Sequence, residues 1–204
     1  RAVLMLIASV VYPGRTVEIP ALPRAVPTAG AALAPPLRTL VDEHRLITRW
    51  LALVPVVTSA LRTGASGALD AARAGVEFLR GYADRFHHAK EEDTLFPCFD
   101  AGLEIVRSMK AEHETARGIV REVAAALGIR DAASAAKGLE AHRALLIEHI
   151  RKEDEILFPW MNGKLATAEV GRLHAAFASI GQQAGDAPAR LRADLETLEA
   201  RLSP

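Results

Sequence analysis

The chain has few of the residues that hold small folds together by covalent or aromatic contacts. Its 204 residues include one cysteine, Cys98, which excludes an intrachain disulfide and is typical of a reducing compartment. Aromatic residues make up only 5% of the chain, while alanine and leucine dominate an apolar half, and this composition favours helix over sheet. We therefore expect one helical, cytoplasmic domain, for which this length is sufficient.

An excess of one charge and a long apolar run are also missing. Lys and Arg together number 25, as do Asp and Glu, so no net positive charge is available to drive nucleic-acid binding. Residues 2–12 are apolar but too few to span a bilayer. They are either a signal-peptide remnant or a segment that packs on the domain surface or on a partner, and we favour packing. We expect no nucleic-acid partner and no membrane span.

Proline divides the chain into an arm and a helical body. Residues 1–36 are predicted to form an extended amino-terminal arm, because six prolines in this region prevent a stable helix. Helical periodicity then predicts an all-α, up-down four-helix bundle over residues 37–162. Two accessory helices are expected within residues 163–204, near 165–182 and 187–202. The arm and these outer helices could support a homodimer.

Breaks between the bundle helices are predicted from proline and glycine. Pro55 is expected to kink or interrupt the first helix, since proline removes a backbone hydrogen bond and crowds the preceding turn. The other helix ends are predicted at a loop over residues 64–67, at Pro97, at Gly128, and between Pro159 and Gly163.

The most specific pattern in the chain is a motif that occurs twice. The sequence reads HHAKEEDTLFP from His87 and HIRKEDEILFP from His149. Aligned on Leu-Phe-Pro, His87 falls on His149 and Glu91 falls on Glu153. Residues four apart lie on one face of a helix, about 6 Å apart along its axis. Each copy therefore presents an imidazole beside a carboxylate, as half of a metal site would.

Two further histidines extend the repeat. Glu43-His44 and Glu112-His113 lie on the helices that precede the two motifs, so each helical hairpin carries the same elements. Six polar residues then lie on the apolar stripes of the four helices: His44, His87, Glu91, His113, His149 and Glu153. Ionised carboxylates buried without partners cost several kcal/mol each, so a positive counter-charge is expected.

Lysine or arginine could supply that charge, but metal ions would also use the imidazoles. A mixed set of imidazoles and carboxylates suits iron, with manganese or zinc as alternatives, and the absence of a thiolate cluster excludes iron–sulfur and cysteine-type zinc sites. Two ions are favoured over one, because six ligands overfill a reactive mononuclear site and each carboxylate can bridge. The ferritin-like carboxylate proteins use Glu-x-x-His, and no histidine here has a glutamate three residues before it.

The order of a lone His, His-x-x-x-Glu, a lone His and a second His-x-x-x-Glu resembles the hemerythrin-like, HHE cation-binding domain. The Lys-Glu-Glu and Leu-Phe-Pro flanks are similar to that family as well, and the resemblance covers roughly residues 37–162. It implies two iron ions in an oxo- or hydroxo-bridged, non-haem di-iron centre. By position, His44, His87, His113 and His149 would be terminal ligands, and Glu91 and Glu153 would bridge the ions.

One departure from the family bears on function. The oxygen-carrying hemerythrins have a second histidine one turn after the ligand on the third helix, where this chain has Arg117. The missing imidazole leaves one more coordination position open, or water or another side chain fills it, and either case argues against reversible oxygen carriage. An open position favours ligand sensing or redox turnover, with dioxygen, nitric oxide or peroxide as candidate ligands. The alternatives are a di-iron peroxidase or oxidase, an iron-donating repair factor for damaged iron centres, and a helical interaction module with a structural metal.

Several nearby residues are set aside at this point. His88 and Glu92 share the spacing of His87 and Glu91, but the repeat aligns His88 with Ile150 and so favours His87 and Glu91, with a register shift to His88 and Glu92 as the alternative. His142 is expected to line the centre or the core without binding metal. Glu43, Glu112 and Glu148 are expected on solvated faces, with the alternative that one of them orients an imidazole.

Overall fold

The computed structural model describes residues 9–12, 15–18 and 32–202. Most of the expected extended arm therefore lies outside the described residues. Within it, strands β1 (Ser9–Tyr12) and β2 (Arg15–Glu18) pair antiparallel, with Val10 opposite Val17. The packing suggested for residues 2–12 stays a prediction.

The described part of the chain after the strands is built from helices. They are α1 (Pro35–Thr63), α2 (Ala68–Phe78), α3 (Glu104–Gly128), α4 (Ala132–Lys152), α5 (Phe158–Asn162), α6 (Thr167–Ala184) and α7 (Ala187–Leu202). Helix α2 continues through π-helical segments Leu79–His88 and Glu91–Leu95 and a 3-10 turn, Phe96–Cys98, while α4 continues through the π-helical segment Glu153–Leu157 into α5. We call α1, extended α2, α3 and extended α4 bundle helices 1 to 4. The all-α bundle with two additional carboxyl-terminal helices is confirmed.

Local sequence explains where these helices start and stop. Gly64 takes a left-handed conformation (φ 67°) that favours glycine, and it ends α1 at the predicted loop. At the start of α4, the Asp131 carboxylate accepts a hydrogen bond of 3.0 Å from the Ser134 amide, which caps the helix. The short connections make neighbouring bundle helices antiparallel.

The interruption expected at Pro55 is absent, because α1 is helical on both sides of it. Proline cannot donate a hydrogen bond to the carbonyl four residues earlier, which here belongs to Leu51. The Arg143 side chain on α4 donates to that Leu51 carbonyl at 3.0 Å. A neighbouring helix thus satisfies the group that Pro55 leaves unpaired, and the helix continues.

The bundle interior contains two apolar clusters with a polar layer between them. Helix α4 packs on α1 and α3, and α2 packs on the same two helices from the other side, while α6 and α7 lie against the outside of bundle helices 1 and 2. Trp50 and Leu146 belong to one cluster, and Leu40 and Phe158 belong to the other. None of the helices within residues 35–202 combines the length and apolar character that a bilayer crossing requires.

We predict that Gly75→Ala destabilises the bundle. A Cβ atom at Gly75 would lie 1.9 Å from the fully buried ring of Trp50, so the ring or the backbone must move. Overpacking of this kind costs about 1–3 kcal/mol in the free energy of unfolding, which urea titration measures. Gly171→Ala on α6 is the control, because its Cβ would meet no atom within 4 Å. Equal stability of the two variants would contradict the close packing of Gly75 on Trp50.

Candidate metal centre

The six side chains predicted as ligands meet in the polar layer between the two apolar clusters. Each of the six is at most 1% exposed. They come from all four bundle helices, and each has apolar cluster residues on both sides along its own helix. His44, for example, lies between Leu40 of one cluster and Ile47 of the other. The helical periodicity therefore places the imidazoles and carboxylates at one level of the bundle.

Wide helical turns accompany the ligands in both halves of the repeat. In the π-helical segments the amide of Phe96 donates to the carbonyl of Glu91, and the amide of Phe158 donates to the carbonyl of Glu153, each five residues back. The following residue is a proline in each case and cannot donate. Single π turns are common at functional sites because they redirect side chains. The Leu-Phe-Pro part of the motif thus accompanies the wide turns that begin at Glu91 and Glu153.

Each predicted imidazole ligand has a carboxylate on its Nδ1 atom. The Nδ1···O distances are 2.7 Å for His44–Asp154, 3.0 Å for His87–Glu43, 2.5 Å for His113–Glu92 and 2.9 Å for His149–Glu112. Because a carboxylate accepts and does not donate, Nδ1 carries a proton, and Nε2 is the nitrogen that can bind a metal ion. Carboxylates placed in this way orient metal-binding histidines and raise their basicity.

The Nε2 atoms face the two central carboxylates. Glu91 directs one oxygen at each half of the repeat, with Oε1 3.6 Å from Nε2 of His87 and Oε2 3.5 Å from Nε2 of His113. One oxygen of Glu153 lies 3.3 Å from Nε2 of both His44 and His149. These separations exceed a good hydrogen bond but are close to the roughly 3.0–3.4 Å between neighbouring ligands that bind one ion at about 2.1 Å.

Most of these facing atoms lack hydrogen-bond partners. Nine buried side-chain nitrogen and oxygen atoms of the described residues are unpaired, and six of them belong to predicted ligands. Those six are Nε2 of His44, Nε2 of His87, and both carboxylate oxygens of Glu91 and of Glu153. An unsatisfied buried polar group costs about 1–3 kcal/mol, so a cluster of them is expected only where something else binds. The unpaired donor atoms fit metal ions.

Lysine and arginine do not balance the central charge. In the described part of the chain, every ion pair of Glu91 and Glu153 within 4.0 Å involves a histidine. The nearby lysines are bonded elsewhere, Lys90 to Glu43 and Lys152 to Glu112. The salt-bridge alternative therefore leaves both central carboxylates without a permanent cation, whereas metal ions would supply one.

Without metal, the central groups share protons unevenly. Burial raises the pKa of Glu91 well above its ordinary value, and the charge of Glu153 adds to this effect. Burial would also raise the pKa of Glu153, but His149 and His44 outweigh it and hold that pKa well below the usual range. Burial would lower the pKa of His149, but Glu153 and Glu112 outweigh it and raise the pKa to about 9. At neutral pH, His149 is therefore charged, and the raised pKa of Glu91 favours its protonated form.

Glu43 and Glu112 are not solvated, which corrects the default expectation from the sequence. They are 7% and 9% exposed, and they hold His87 and His149 respectively. The alternative reading, that such a residue orients an imidazole, is the one that the structure shows. The lysine of the repeated Lys-Glu segment neutralises the glutamate that holds the imidazole, Lys90 for Glu43 and Lys152 for Glu112. Glu148 instead pairs with Arg151 at the surface, at 3.0 Å.

Phenylalanine completes the repeated arrangement. The ring of Phe158 stacks on His44 at 5.7 Å between centroids, and the ring of Phe96 stacks on His113 at 6.1 Å. The phenylalanine of each motif thus covers the lone histidine of the other half. The two hairpins are bound to each other through the centre, as the duplicated motif suggests.

His88, which the repeat alignment disfavours as a ligand, lies at the centre. It is 4% exposed, and its ring stacks on His113 with centroids 3.8 Å apart. Potential ligand atoms form two groups, one of His88, Glu91, His113 and His149 and the other of His44, His87, Glu91 and Glu153. In the sequence, His88 lies three residues before Glu91 and so on the same helix face, and this spacing was a signal that His88 lies near the centre. The repeat alignment hid that signal because Ile150 occupies the matching position.

Arg117, which stands where the oxygen carriers have a histidine, is directed at carboxylates. It donates to Asp84 at 2.7 Å, to Glu92 at 2.6 Å and to Glu114 at 2.6 Å. Since the same Glu92 oxygen also bonds Nδ1 of His113, Arg117 helps to fix that imidazole. It contributes a positive charge around the centre and no ligand.

A cavity of about 150 Å³ adjoins the centre beside His88. Its wall includes Arg117 and His142. His142 is 3% exposed and belongs to neither group of potential ligands. Sites for drug-sized molecules occupy roughly 300–1,000 Å³, so the volume of this cavity favours a small ligand.

Comparison with known families agrees with this site. The family model of the hemerythrin HHE cation-binding domain matches residues 35–161, which include all six predicted ligands. The chain therefore belongs to the hemerythrin HHE cation-binding domain family. Neither the curated proteins nor the solved structures gave a match. Metal binding thus rests on the family and on the two groups of ligand atoms, while each of the six ligands stays a prediction.

We predict that Glu112→Gln weakens metal binding without unfolding the bundle. Glutamine keeps the size of the side chain but removes the charge that faces His149 and Lys152. Loss of such a partner costs about 10–100-fold in metal affinity, which chelator competition measures. Glu114→Gln is the control on the same helix, because Glu114 is exposed and pairs only with Arg117. Equal affinities in both variants would show that Glu112 does not support the ligand.

We also predict that metal binding releases protons. In the metal-free centre His149 carries an extra proton at pH 7, and the raised pKa of Glu91 favours a proton there too, and both residues must lose it to act as ligands. Binding should therefore release protons and weaken as the pH falls. Calorimetry in buffers of different ionisation enthalpy measures this release. A binding enthalpy that does not depend on the buffer would contradict these protonation states.

Proposed function

We propose that this chain is a non-haem di-iron protein that binds or senses a small ligand, such as dioxygen, nitric oxide or peroxide. The observation that carries the proposal is the pair of ligand groups that share Glu91. A carboxylate common to two groups is what a bridging ligand requires, and each group adds imidazoles from different helices. Two iron ions bound there would supply redox and ligand-binding chemistry.

The protein's own residues support this function in three ways. The carboxylates on Nδ1 keep each imidazole in the form that binds metal. The mixed imidazole and carboxylate set is more typical of iron than of a structural zinc site. Apolar clusters above and below keep bulk water away from the central carboxylates.

The size of the adjoining cavity favours a diatomic ligand or peroxide. A volume of about 150 Å³ is below the roughly 300–1,000 Å³ of sites that take drug-sized molecules. This supports small-ligand binding in either a sensor or a peroxide-consuming enzyme.

Metal analysis and absorption spectra test the proposal together. Protein produced with iron should contain about two ions per chain, as expected for a two-metal site, and its spectrum should change on adding oxygen or nitric oxide. His87→Ala with His149→Ala should abolish this iron, while His174→Ala, on the surface of α6, should not. Well under one ion per chain in the wild type, or full retention in the double variant, would refute the proposal.

Added peroxide separates the sensor from the enzyme in the same samples. A stoichiometric spectral change supports binding or sensing. Steady-state consumption of peroxide that is lost in the double variant supports the di-iron enzyme instead.

A further inference from the structure

The two halves of the centre share most of their arrangement. In both halves a Glu-His pair faces His-x-x-Lys-Glu, and a phenylalanine covers the lone histidine of the other half. One difference is the position after the first histidine of each motif, which is His88 in one half and Ile150 in the other. Both side chains are buried, with 4% and 9% exposed. A polar imidazole thus occupies a buried position that has an apolar side chain in the other half.

The contacts of His88 lie on the side of the metal centre. Its ring stacks on His113, with the ring planes 14° apart, and meets His149 edge-on at 6.1 Å between centroids. A ring nitrogen of His88 lies within 4.8 Å of ligand atoms of Glu91, His113 and His149. The Nε2 atoms of His113 and His149 are themselves 3.0 Å apart, which is a normal separation for two ligands of one ion.

A purely structural role leaves His88 poorly satisfied. Its Nδ1 atom is buried and has no hydrogen-bond partner among the described residues. The carboxylate nearest to that nitrogen, Asp84, is 3.8 Å away and accepts instead from Arg117 at 2.7 Å. An imidazole that only filled space would be expected to gain a hydrogen bond or to be replaced by an apolar residue, as at Ile150.

We propose that His88 is a fifth imidazole ligand, bound to the metal position that it forms with Glu91, His113 and His149. The inference rests on the proposed function, since it requires two metal ions. The position on this side then has three imidazoles, whereas the position formed with His44 and His87 has two. The two ions are therefore chemically unequal in a chain whose repeat predicts equal ones. Bundle helix 3 has Arg117 where the oxygen carriers have a histidine, and His88 on bundle helix 2 supplies an imidazole instead.

Cobalt(II) titration of the whole chain tests the proposal without relying on activity. Wild-type protein should bind two cobalt ions with different affinities in chelator competition. His88→Gln and His88→Ile should each weaken one of the two by about 10–100-fold or more and leave the other within about threefold. His88→Ile makes the two halves alike at this position, so its two sites should also become closer in affinity. The control is His142→Gln, a buried imidazole on the wall of the same cavity that belongs to neither ligand group.

A second measurement avoids any effect of the substitutions on folding. In a crystal structure of the cobalt-loaded wild type, a nitrogen of His88 should lie about 2.0–2.3 Å from one ion. A distance above about 3 Å would overturn the inference, because no bond exists at that separation.

The outcomes separate this inference from the proposed function. A wild type that fails to bind two ions would refute the two-metal function, and the role of His88 with it. A wild type that binds two ions with affinities that neither His88 variant changes would refute the role of His88 alone.

Discussion

Two carboxylates buried side by side, without a lysine or arginine partner, are the constraint on which the rest of this bundle depends. Glu91 and Glu153 are 0% exposed, and burial of unpaired charges of this kind costs several kcal/mol each, against a typical total stability of about 5–15 kcal/mol. The surrounding polar groups form successive layers of alternating charge around the two carboxylates. Imidazoles face the carboxylates, outer carboxylates hold the imidazoles, and Lys90, Lys152 and Arg117 neutralise most of the outer layer.

Patterns that depend on one helix at a time were readable from the sequence. The apolar stripes predicted four bundle helices, and the duplicated motif located the six side chains that meet at the polar layer. The continuity of α1 through Pro55 was not readable, because Arg143, whose side chain pairs with the Leu51 carbonyl, lies on another helix 88 residues after Pro55. The burial of Glu43 and Glu112 was missed for the same reason, since their partners lie on neighbouring helices.

His88 was missed for a different reason, because the internal repeat itself argued against it. The internal repeat fixed the register of the six predicted ligands, and the same symmetry argument removed His88 because its counterpart is Ile150. Symmetry in a duplicated chain describes what the two halves share. A site that uses both halves at once can also use their differences, and only the packing of the rings shows which differences lie at the centre.

The bonds at Nδ1 also have an order around the bundle. His87 on bundle helix 2 is held from helix 1, His113 on helix 3 from helix 2, His149 on helix 4 from helix 3, and His44 on helix 1 from helix 4. These four hydrogen bonds form a closed ring, in which every bundle helix supplies a carboxylate to one neighbour and an imidazole to the other. Moving any one of these imidazoles therefore breaks or shifts a contact with the adjacent helix. The ligand positions and the relative positions of the four helices thus depend on each other at the level of the centre.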